Sequence, residues 1–307
     1  MRRGFSSAAR RFTLRPKGGI MNAAARRVAL NKGRTCVAME ETVIRGGDQA
    51  ARDVNGISEF LAQRDFYDLT PEAVAKGLGG PADLLILMGG SIASGCVLAA
   101  EAFLAGVAKT LMIAGGAGHT TQALRDTVAA RYPDVETRGR AEADLIGEMF
   151  EKHYGLPRAG VIFENRSANC GENADFALDT AKARGLVPRT VILMQDSSMQ
   201  RRMSASFQKA WAGTGARFYG YAAHVPRVES RDGRLRYVGE RPWGMWPLER
   251  FLKLILGEIP RLKDSPSGYG PLGKGFIPHV DIPDAVLEAF DRLAEVFPDF
   301  IRPAWKG

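Results

Sequence analysis

The sequence predicts an α/β fold built on a mostly parallel sheet of five strands. Short runs of aliphatic residues recur between positions 83 and 221, and segments with the spacing of amphipathic helices separate them. This alternation is typical of βαβ units, in which a helix crosses over between two parallel strands. Five strands with their helices make a doubly wound, Rossmann-like layer, and the C-terminal part of the chain adds a helical extension.

The elements are expected in the following order. A helical segment near 50–65 ends before Pro71 and precedes the sheet. The strands are expected at 83–88, 110–114, 160–163, 190–194 and 217–221. The helices between and after them are expected near 94–106, 119–131, 140–154, 171–185 and 199–212. Two further helices, 247–259 and 284–296, stand on either side of a loop rich in Gly and Pro.

Composition divides the chain into four parts. Residues 1–39 form a basic leader that is expected to be disordered, and residues 40–82 form an N-terminal helical segment. Residues 83–242 hold the Rossmann-like domain. Residues 243–307 form a cap of helices and one long loop, which has no core of its own and is therefore expected to pack on the sheet.

The formal charge of +8 comes from one end of the chain. Residues 1–39 contain ten of the 42 Lys and Arg residues and no acid, which leaves 32 basic residues against 34 acidic ones in the remaining 268. A nucleic-acid-binding body needs a phosphate-neutralising surface of its own. The near-neutral body therefore argues against nucleic acid as the partner.

Two interpretations of the leader stay open. It is rich in Arg, Ala and Ser and lacks acids, which is typical of an organelle transit peptide and would place the protein in the mitochondrial matrix. Alternatively, Met21 or Met39 is the natural start and the protein is cytoplasmic.

Neither a metal centre nor a membrane span is predicted. The three cysteines form no CxxC pair, and the four histidines lack HxxxH or HExxH spacing. The 17 uncharged residues between Asp83 and Glu101 are too few to cross a bilayer comfortably, and glycines divide them.

Two glycine loops follow the first two predicted strands. In an open parallel sheet, ligands bind at the carboxyl ends of the strands, next to helix N-termini. The candidate binding residues in these loops are Gly89, Gly90, Ser91, Gly115, Gly116, Gly118 and His119. Neither loop completes GxGxxG and no GK[ST] occurs, so neither NAD nor a P-loop nucleotide is indicated. Tight turns without a ligand are the alternative interpretation of each loop.

Polar residues follow the later strands. Glu142 lies one turn before an apolar helix face and is expected to point toward the core or a cleft, although an acid there also suits the helix dipole. The remaining candidates are Ser167, Asn169, Glu172, Asn173, Asp196, Arg201 and Arg202. Asn169 and Glu172 fit a capping box. Because a cap does not need the other polar groups, their excess indicates a polar ligand.

Two of these groups suit particular chemistry. Asp196 can accept hydrogen bonds from ribose hydroxyls, and one of the two arginines can hold a carboxylate or phosphate. Glu142 and Asp196 are also the candidate catalytic acids. A serine-type or phosphate-ester hydrolase is an alternative, because residues 89–93 are one residue away from a GxSxG elbow. Ser91 would be the nucleophile, with Asp196 and either His224 or His279 as its partners.

Five motifs of this chain resemble the SanA/ElyC/YdcF family. They occur in order and with compatible spacing between about residue 57 and about residue 283: GGAGHTT (115–121), GRAEA (139–143), ENRSANCGENADF (164–176), QDSSMQRR (195–202) and WPLERFLKLILGEIPRLKDSPSGYGP (246–271). Where the wider family tends to have Thr, this chain has Cys170, as the YdcF branch does. SanA and ElyC members carry a membrane anchor that the body of this chain lacks, which argues against an envelope role.

The resemblance implies a Rossmann-like domain with a C-terminal extension that binds S-adenosylmethionine. The family's motif residues carry over to Glu142, Ser167, Asn169, Glu172, Asn173, Asp196, Arg201 and Arg202. We therefore expect a small-molecule-binding protein for S-adenosylmethionine or a related nucleotide, with a transferase reaction as one candidate. A regulatory module without turnover is a further alternative.

Overall fold

Five parallel strands flanked by helices form the centre of the computed structural model, which confirms the predicted fold class. The model describes residues 43–90 and 92–301. The predicted leader and Ser91 lie outside the described residues.

The sheet has the strand order β3-β2-β1-β4-β5, and every neighbouring pair is parallel. The strands are β1 (Leu84–Met88), β2 (Leu111–Ala114), β3 (Val161–Glu164), β4 (Thr190–Met194) and β5 (Arg217–Gly220). Residues of β1 and β2 are buried throughout, because helices cover both faces of the sheet.

Helices cover the two faces in separate groups. The helices that follow β1, β2, β3 and β4 within the layer are α3 (Ala93–Ala105), α4 (Thr121–Arg131), α5 (Glu142–His153), α6 (Cys170–Ala183) and α7 (Gln200–Ala210). Alternate strand residues point to opposite faces. Leu85 and Leu87 accordingly belong to one core with α3, α4 and α5, whereas Ile86 and Met88 belong to another with α6 and α7.

A third core joins the two ends of the described chain. It contains α1 (Asp48–Leu61), α8 (Leu248–Leu262), α9 (Asp284–Val296) and the antiparallel hairpin β6 (Val228–Arg231) and β7 (Arg234–Tyr237). Asp53 on α1 accepts two hydrogen bonds from the guanidinium of Arg292 on α9, at 2.8 and 3.0 Å. The N-terminal helix and the C-terminal cap therefore form one layer.

Three elements differ from the sequence-based expectation. Pro71 was expected beyond a helix, but it begins α2 (Pro71–Leu78), where Thr70 caps the helix by accepting a hydrogen bond from the Ala73 amide at 3.2 Å. Proline fits the first turn because its missing N–H would have no helical partner there. The hairpin β6–β7 was not expected at all. The helix expected at 247–259 continues through Pro260 to Leu262.

Candidate functional site

A cleft opens at the carboxyl ends of β1 and β4. The chain runs from β1 outward to β2 and β3 and then returns to place β4 on the other side of β1. Ligands of open α/β sheets bind in the crevice at such a switch point. The space in and above the cleft, open solvent included, is about 320 Å³. Its polar lining groups are Gln195, Asp196 and His224, and Met88 and Met194 are among its apolar ones.

Gln195 joins the two walls of this cleft. It lies directly after β4, and its side-chain amide donates a hydrogen bond to the Gly89 carbonyl, at the end of β1, at 3.1 Å. Its side-chain oxygen accepts a hydrogen bond from the Asp196 amide at 2.6 Å. Gln200 fixes the same turn by accepting from the Gln195 amide at 2.7 Å. The loop after β4 is thus held in place by buried side chains.

Asp196 is held in the cleft by two neighbours. Its Oδ1 atom accepts hydrogen bonds from the amide and the hydroxyl of Ser198 at 2.9 and 3.1 Å. Its Oδ2 atom accepts a hydrogen bond from the indole of Trp246 at 3.0 Å. A carboxylate oxygen has two lone pairs, so Oδ2 can accept a second hydrogen bond. The position predicted to accept ribose hydroxyls therefore lines the cleft.

His224 lies in the same cleft with both ring nitrogens buried. Neither nitrogen has a hydrogen-bond partner within residues 43–90 and 92–301. Burial lowers the pKa of His224 below its ordinary value of 6.5, an effect that the charge of Asp196 opposes and that of Arg64 reinforces. The imidazole is therefore neutral at pH 7, with one donor and one acceptor. Buried polar groups without partners are rare in folded proteins and call for a functional or structural reason.

Glu142 lies behind the first glycine loop. Its Oε2 atom is 2.1 Å from the point where a Cβ atom on Gly89 would stand, and 3.0 Å from the equivalent point on Gly115. Its Oε1 atom accepts a hydrogen bond from the Thr121 hydroxyl at 2.7 Å. A side chain on either glycine would crowd this carboxyl group. The two glycines therefore allow Glu142 to lie close to the backbone of both loops.

The surroundings of Glu142 favour its protonated form. Burial raises the pKa of Glu142 above its ordinary value of 4.5, while the hydrogen bond from Thr121 and the charge of Arg125 oppose the shift. Burial, together with the charge of Glu142, raises the pKa of Cys96 to about 12. Cys96 lines the cleft as a protonated thiol and is not an activated nucleophile.

The second glycine loop is bonded to the loop after β3. The amides of Gly116 and Ala117 both donate to the Ser167 carbonyl, at 3.0 and 3.1 Å. The Gly115 amide donates to the Glu164 carbonyl at 2.9 Å, and the Gly118 amide donates to the Thr121 hydroxyl at 2.7 Å. These four amides are therefore already engaged within the protein.

The polar residues after β3 hydrogen-bond to one another. Buried Glu164 accepts from the hydroxyl of Ser167 at 2.6 Å, and this hydroxyl also lies 3.0 Å from Asn173 Oδ1. Asn169 accepts from the Glu172 amide at 3.0 Å, while Glu172 accepts from the Ala168 amide at 2.8 Å. Asn169 caps α6 as predicted, but Glu172 accepts from the Ala168 amide and not from the Asn169 amide, so the predicted capping box is only half formed. The remaining polar groups stabilise the loop that leads into the helix.

Arg201 and Arg202 connect α7 to other helices. Arg201 donates a hydrogen bond to the Phe60 carbonyl at 2.5 Å, and its guanidinium lies 4.1 Å from the centre of the Phe60 ring. Arg202 forms a buried ion pair with Glu258 of α8 through two hydrogen bonds, at 2.5 and 3.0 Å. Neither arginine lines the cleft.

The structure brings together part of the predicted site. Gly90 and Asp196 line the cleft, and Gly89, Gly115 and Glu142 form the layer behind it. His119 is exposed on the second glycine loop, and Ser91 lies outside the described residues. The list of predicted binding residues omitted Gln195 and His224. Gln195 directly follows β4, so the rule that ligands bind at strand ends would have selected it.

No family model matches the chain. Within residues 43–90 and 92–301, no group of three His, Cys, Asp or Glu side chains has the arrangement of a metal site. None of the described helices combines the length and the apolar character needed to cross a membrane.

Proposed function

We propose that this protein binds a small molecule with an adenosyl group, S-adenosylmethionine or a related nucleotide, in the cleft between the ends of β1 and β4. The observation that carries the proposal is the position of this cleft at the switch point of the sheet. The motifs shared with the SanA/ElyC/YdcF family supply the identity of the ligand.

The lining of the cleft suits such a ligand. Methionine side chains from β1 and β4 offer apolar contact to a flat base, because thioethers pack well against aromatic rings. Asp196 Oδ2 has a free lone pair for a ribose hydroxyl. His224 offers one donor and one acceptor that the described protein groups leave unused.

Substitution His224→Leu separates a binding role from a structural one. Removing a buried polar group that has no partner is expected to leave stability unchanged or to increase it. If His224 serves the ligand, the variant therefore keeps its melting temperature and binds S-adenosylmethionine at least tenfold more weakly, as measured by calorimetric titration of the full chain. His279→Leu is the control, because His279 bonds to Asp264 and Asp281 and does not line the cleft.

Two results would contradict these expectations. No heat of binding with millimolar S-adenosylmethionine, S-adenosylhomocysteine or adenosine would remove the proposed ligand class. Binding that is equally strong in wild type and His224→Leu would instead retain the ligand and remove His224 from its site. Production of S-adenosylhomocysteine in the presence of an acceptor would identify a transferase.

A hydrolase remains the second candidate because of one observation. Gly90 and Ile92, the neighbours of Ser91, line the same cleft as Asp196 and His224. In a catalytic triad the acid orients the histidine, whereas the carboxylate of Asp196 here bonds to Ser198 and Trp246. Labelling by a fluorophosphonate probe that Ser91→Ala abolishes would support the hydrolase, and an unlabelled wild type would remove it.

A further inference from the structure

The hairpin β6–β7 carries a groove that shares no lining residue with the strand-end cleft. Residues 43–47 lie along β7 as a third extended segment. The Leu235 amide donates to the Ile44 carbonyl at 2.9 Å, and the Gly46 amide donates to the Gly233 carbonyl at 3.0 Å. The space in and above the groove, open solvent included, is about 810 Å³, and its lining arginines are Arg234, Arg236 and Arg241.

Three arginines form a row across this small sheet. The hairpin register places Arg231 opposite Arg234, and a bridge places Arg234 opposite Arg45. All three are exposed, whereas Ile44 and Leu235 point to the other face and are buried. Opposite residues have Cα atoms ~4.5–5.5 Å apart, so the row is roughly 10 Å long. Arg236 lies on the same face, about 7 Å further along β7.

The side chains of these four arginines form no hydrogen bond and no ion pair with any other part of the chain that the structure describes. Glu229 is the residue opposite Arg236, yet its carboxylate is not within ion-pair distance of that guanidinium. Like charges directly opposite each other on neighbouring strands destabilise a sheet. An anion bound between them would relieve this repulsion.

We propose that the exposed arginine face beside this groove binds a small ligand that carries two or more phosphate groups. Arg234 and Arg236 line the groove, and Arg45 and Arg231 lie next to Arg234 outside its lining. The planar fork of arginine matches the oxygens of a phosphate group. The row and Arg236 together cover an area that suits two or three linked phosphates. Tight nucleic-acid binding commonly uses roughly 6–10 phosphate contacts, which four arginines do not supply. This proposal is independent of the ligand proposed for the cleft.

The test is a calorimetric titration of the full chain with inorganic tripolyphosphate. We expect one site in the wild type and at least a tenfold loss of affinity in the double variant Arg234→Gln/Arg236→Gln. The matched control is Arg184→Gln/Arg217→Gln, which removes the same charge from two exposed arginines elsewhere and should change affinity less than twofold. The basic residues 1–39 are the same in all three proteins, so any binding by them does not affect the comparison.

Thermal unfolding supplies a second measurement. Tripolyphosphate should raise the melting temperature of the wild type and the control more than that of the groove variant, because a ligand stabilises the folded state that binds it. Three results would overturn the proposal: no binding to the wild type at millimolar tripolyphosphate, equal loss of affinity in both double variants, or at least a hundredfold preference for a single-stranded oligonucleotide that is lost in Arg234→Gln/Arg236→Gln.

Discussion

Gly116 is the residue at which the two loops after β2 and β3 come closest. A Cβ atom there would stand 2.4 Å from the Ser167 carbonyl oxygen and 2.7 Å from the Arg166 carbonyl carbon. Both of these atoms belong to the backbone and cannot rotate away as a flexible side chain would. The absence of a side chain at this position therefore permits the hydrogen bonds that join the loops.

Substitution Gly116→Ala should destabilise the protein by about 1–3 kcal/mol, the usual cost of overpacking. Chemical denaturation would measure the change in the free energy of unfolding. Gly56→Ala is the matched control, because a Cβ atom on that exposed position of α1 meets nothing within 4 Å. It should stabilise the helix by about 0.5–1 kcal/mol. A neutral Gly116→Ala would show that the loops are less tightly joined than described.

Glu142 should make stability depend on pH in a specific direction. A carboxyl group with a raised pKa stabilises the folded state when protonated, and this contribution is lost as pH rises through the raised value. Glutamine has no such proton to lose. The stability of Glu142→Gln relative to wild type should therefore increase as pH rises above 4.5, the ordinary pKa of glutamate.

Urea unfolding at a series of pH values would measure this difference. Glu151→Gln is the control, because Glu151 is exposed on the same helix. Its stability difference from wild type should stay nearly constant over the same range. Parallel curves of the free energy of unfolding against pH for wild type and Glu142→Gln would contradict the raised pKa of Glu142.

At the scale of elements, α7 is connected to the C-terminal layer by the ion pair of Arg202 and Glu258. Their side chains are only 13% and 5% exposed. Removing one partner of such a pair leaves a buried charge without compensation. The pair accordingly fixes how α7 and α8 pack.

Substitution Glu258→Gln should cost about 3–5 kcal/mol of stability. The double variant Arg202→Met/Glu258→Leu should recover most of this loss, because apolar residues of similar volume need no partner. Denaturation of Arg202→Met, Glu258→Leu and the double variant would give the coupling energy. Glu59→Gln, which removes one partner of the exposed pair with Arg227, should change stability by no more than about 1 kcal/mol. If the change in the free energy of unfolding of the double variant equals the sum of the changes in the two single variants, the coupling is contradicted.

The sequence predicted elements whose signals are local. The cap predicted at Asn169 involves residues three apart, and the Asn169 side chain does accept a hydrogen bond from the Glu172 amide. The helix α2 also had a local signal, Thr70 followed by Pro71, which is a common helix start. The hairpin strands were missed because most of their residues are polar and each strand buries only one side chain, although the turn Asp232-Gly233 is a hairpin signal.

The candidate site was less predictable, for a physical reason. The rule that ligands bind at strand ends selected the loops after β1 and β4, which line the cleft, but it did not say which strand ends are neighbours. Asp196 reaches the cleft because β4 pairs with β1, and that pairing spans about a hundred residues of sequence. The hydrogen bonds between Gly116 and Ser167 are likewise non-local. Excess polarity in a loop therefore did not distinguish groups that line the cleft from groups that hydrogen-bond to a neighbouring loop.

At the scale of the whole molecule, the third core connects both ends of the described chain to the sheet. Leu293 of α9 is completely buried in this core, among residues of α1 and α8. Arg201, Arg202 and Trp246 each make a hydrogen bond between this layer and the sheet domain. We expect the two parts to unfold together.

Substitution Leu293→Ala should cost about 2–5 kcal/mol. Because the layers are linked, urea transitions followed by circular dichroism and by tryptophan fluorescence should shift by the same amount and stay coincident. Val296→Ala on the exposed side of the same helix should change stability by less than about 0.5 kcal/mol. A separate early transition in Leu293→Ala would show that the C-terminal layer unfolds as an independent domain.

The hydrogen bond from Gln195 to the Gly89 carbonyl has a consequence for how the cleft admits a ligand. It connects the ends of the two strands that form the cleft, so their separation is set before any ligand arrives. The backbones of the empty and occupied forms should then agree to within about 1 Å, as in other preorganised sites. Under the proposed function, such a cleft would discriminate between ligands by their size and would not need to close around the bound one.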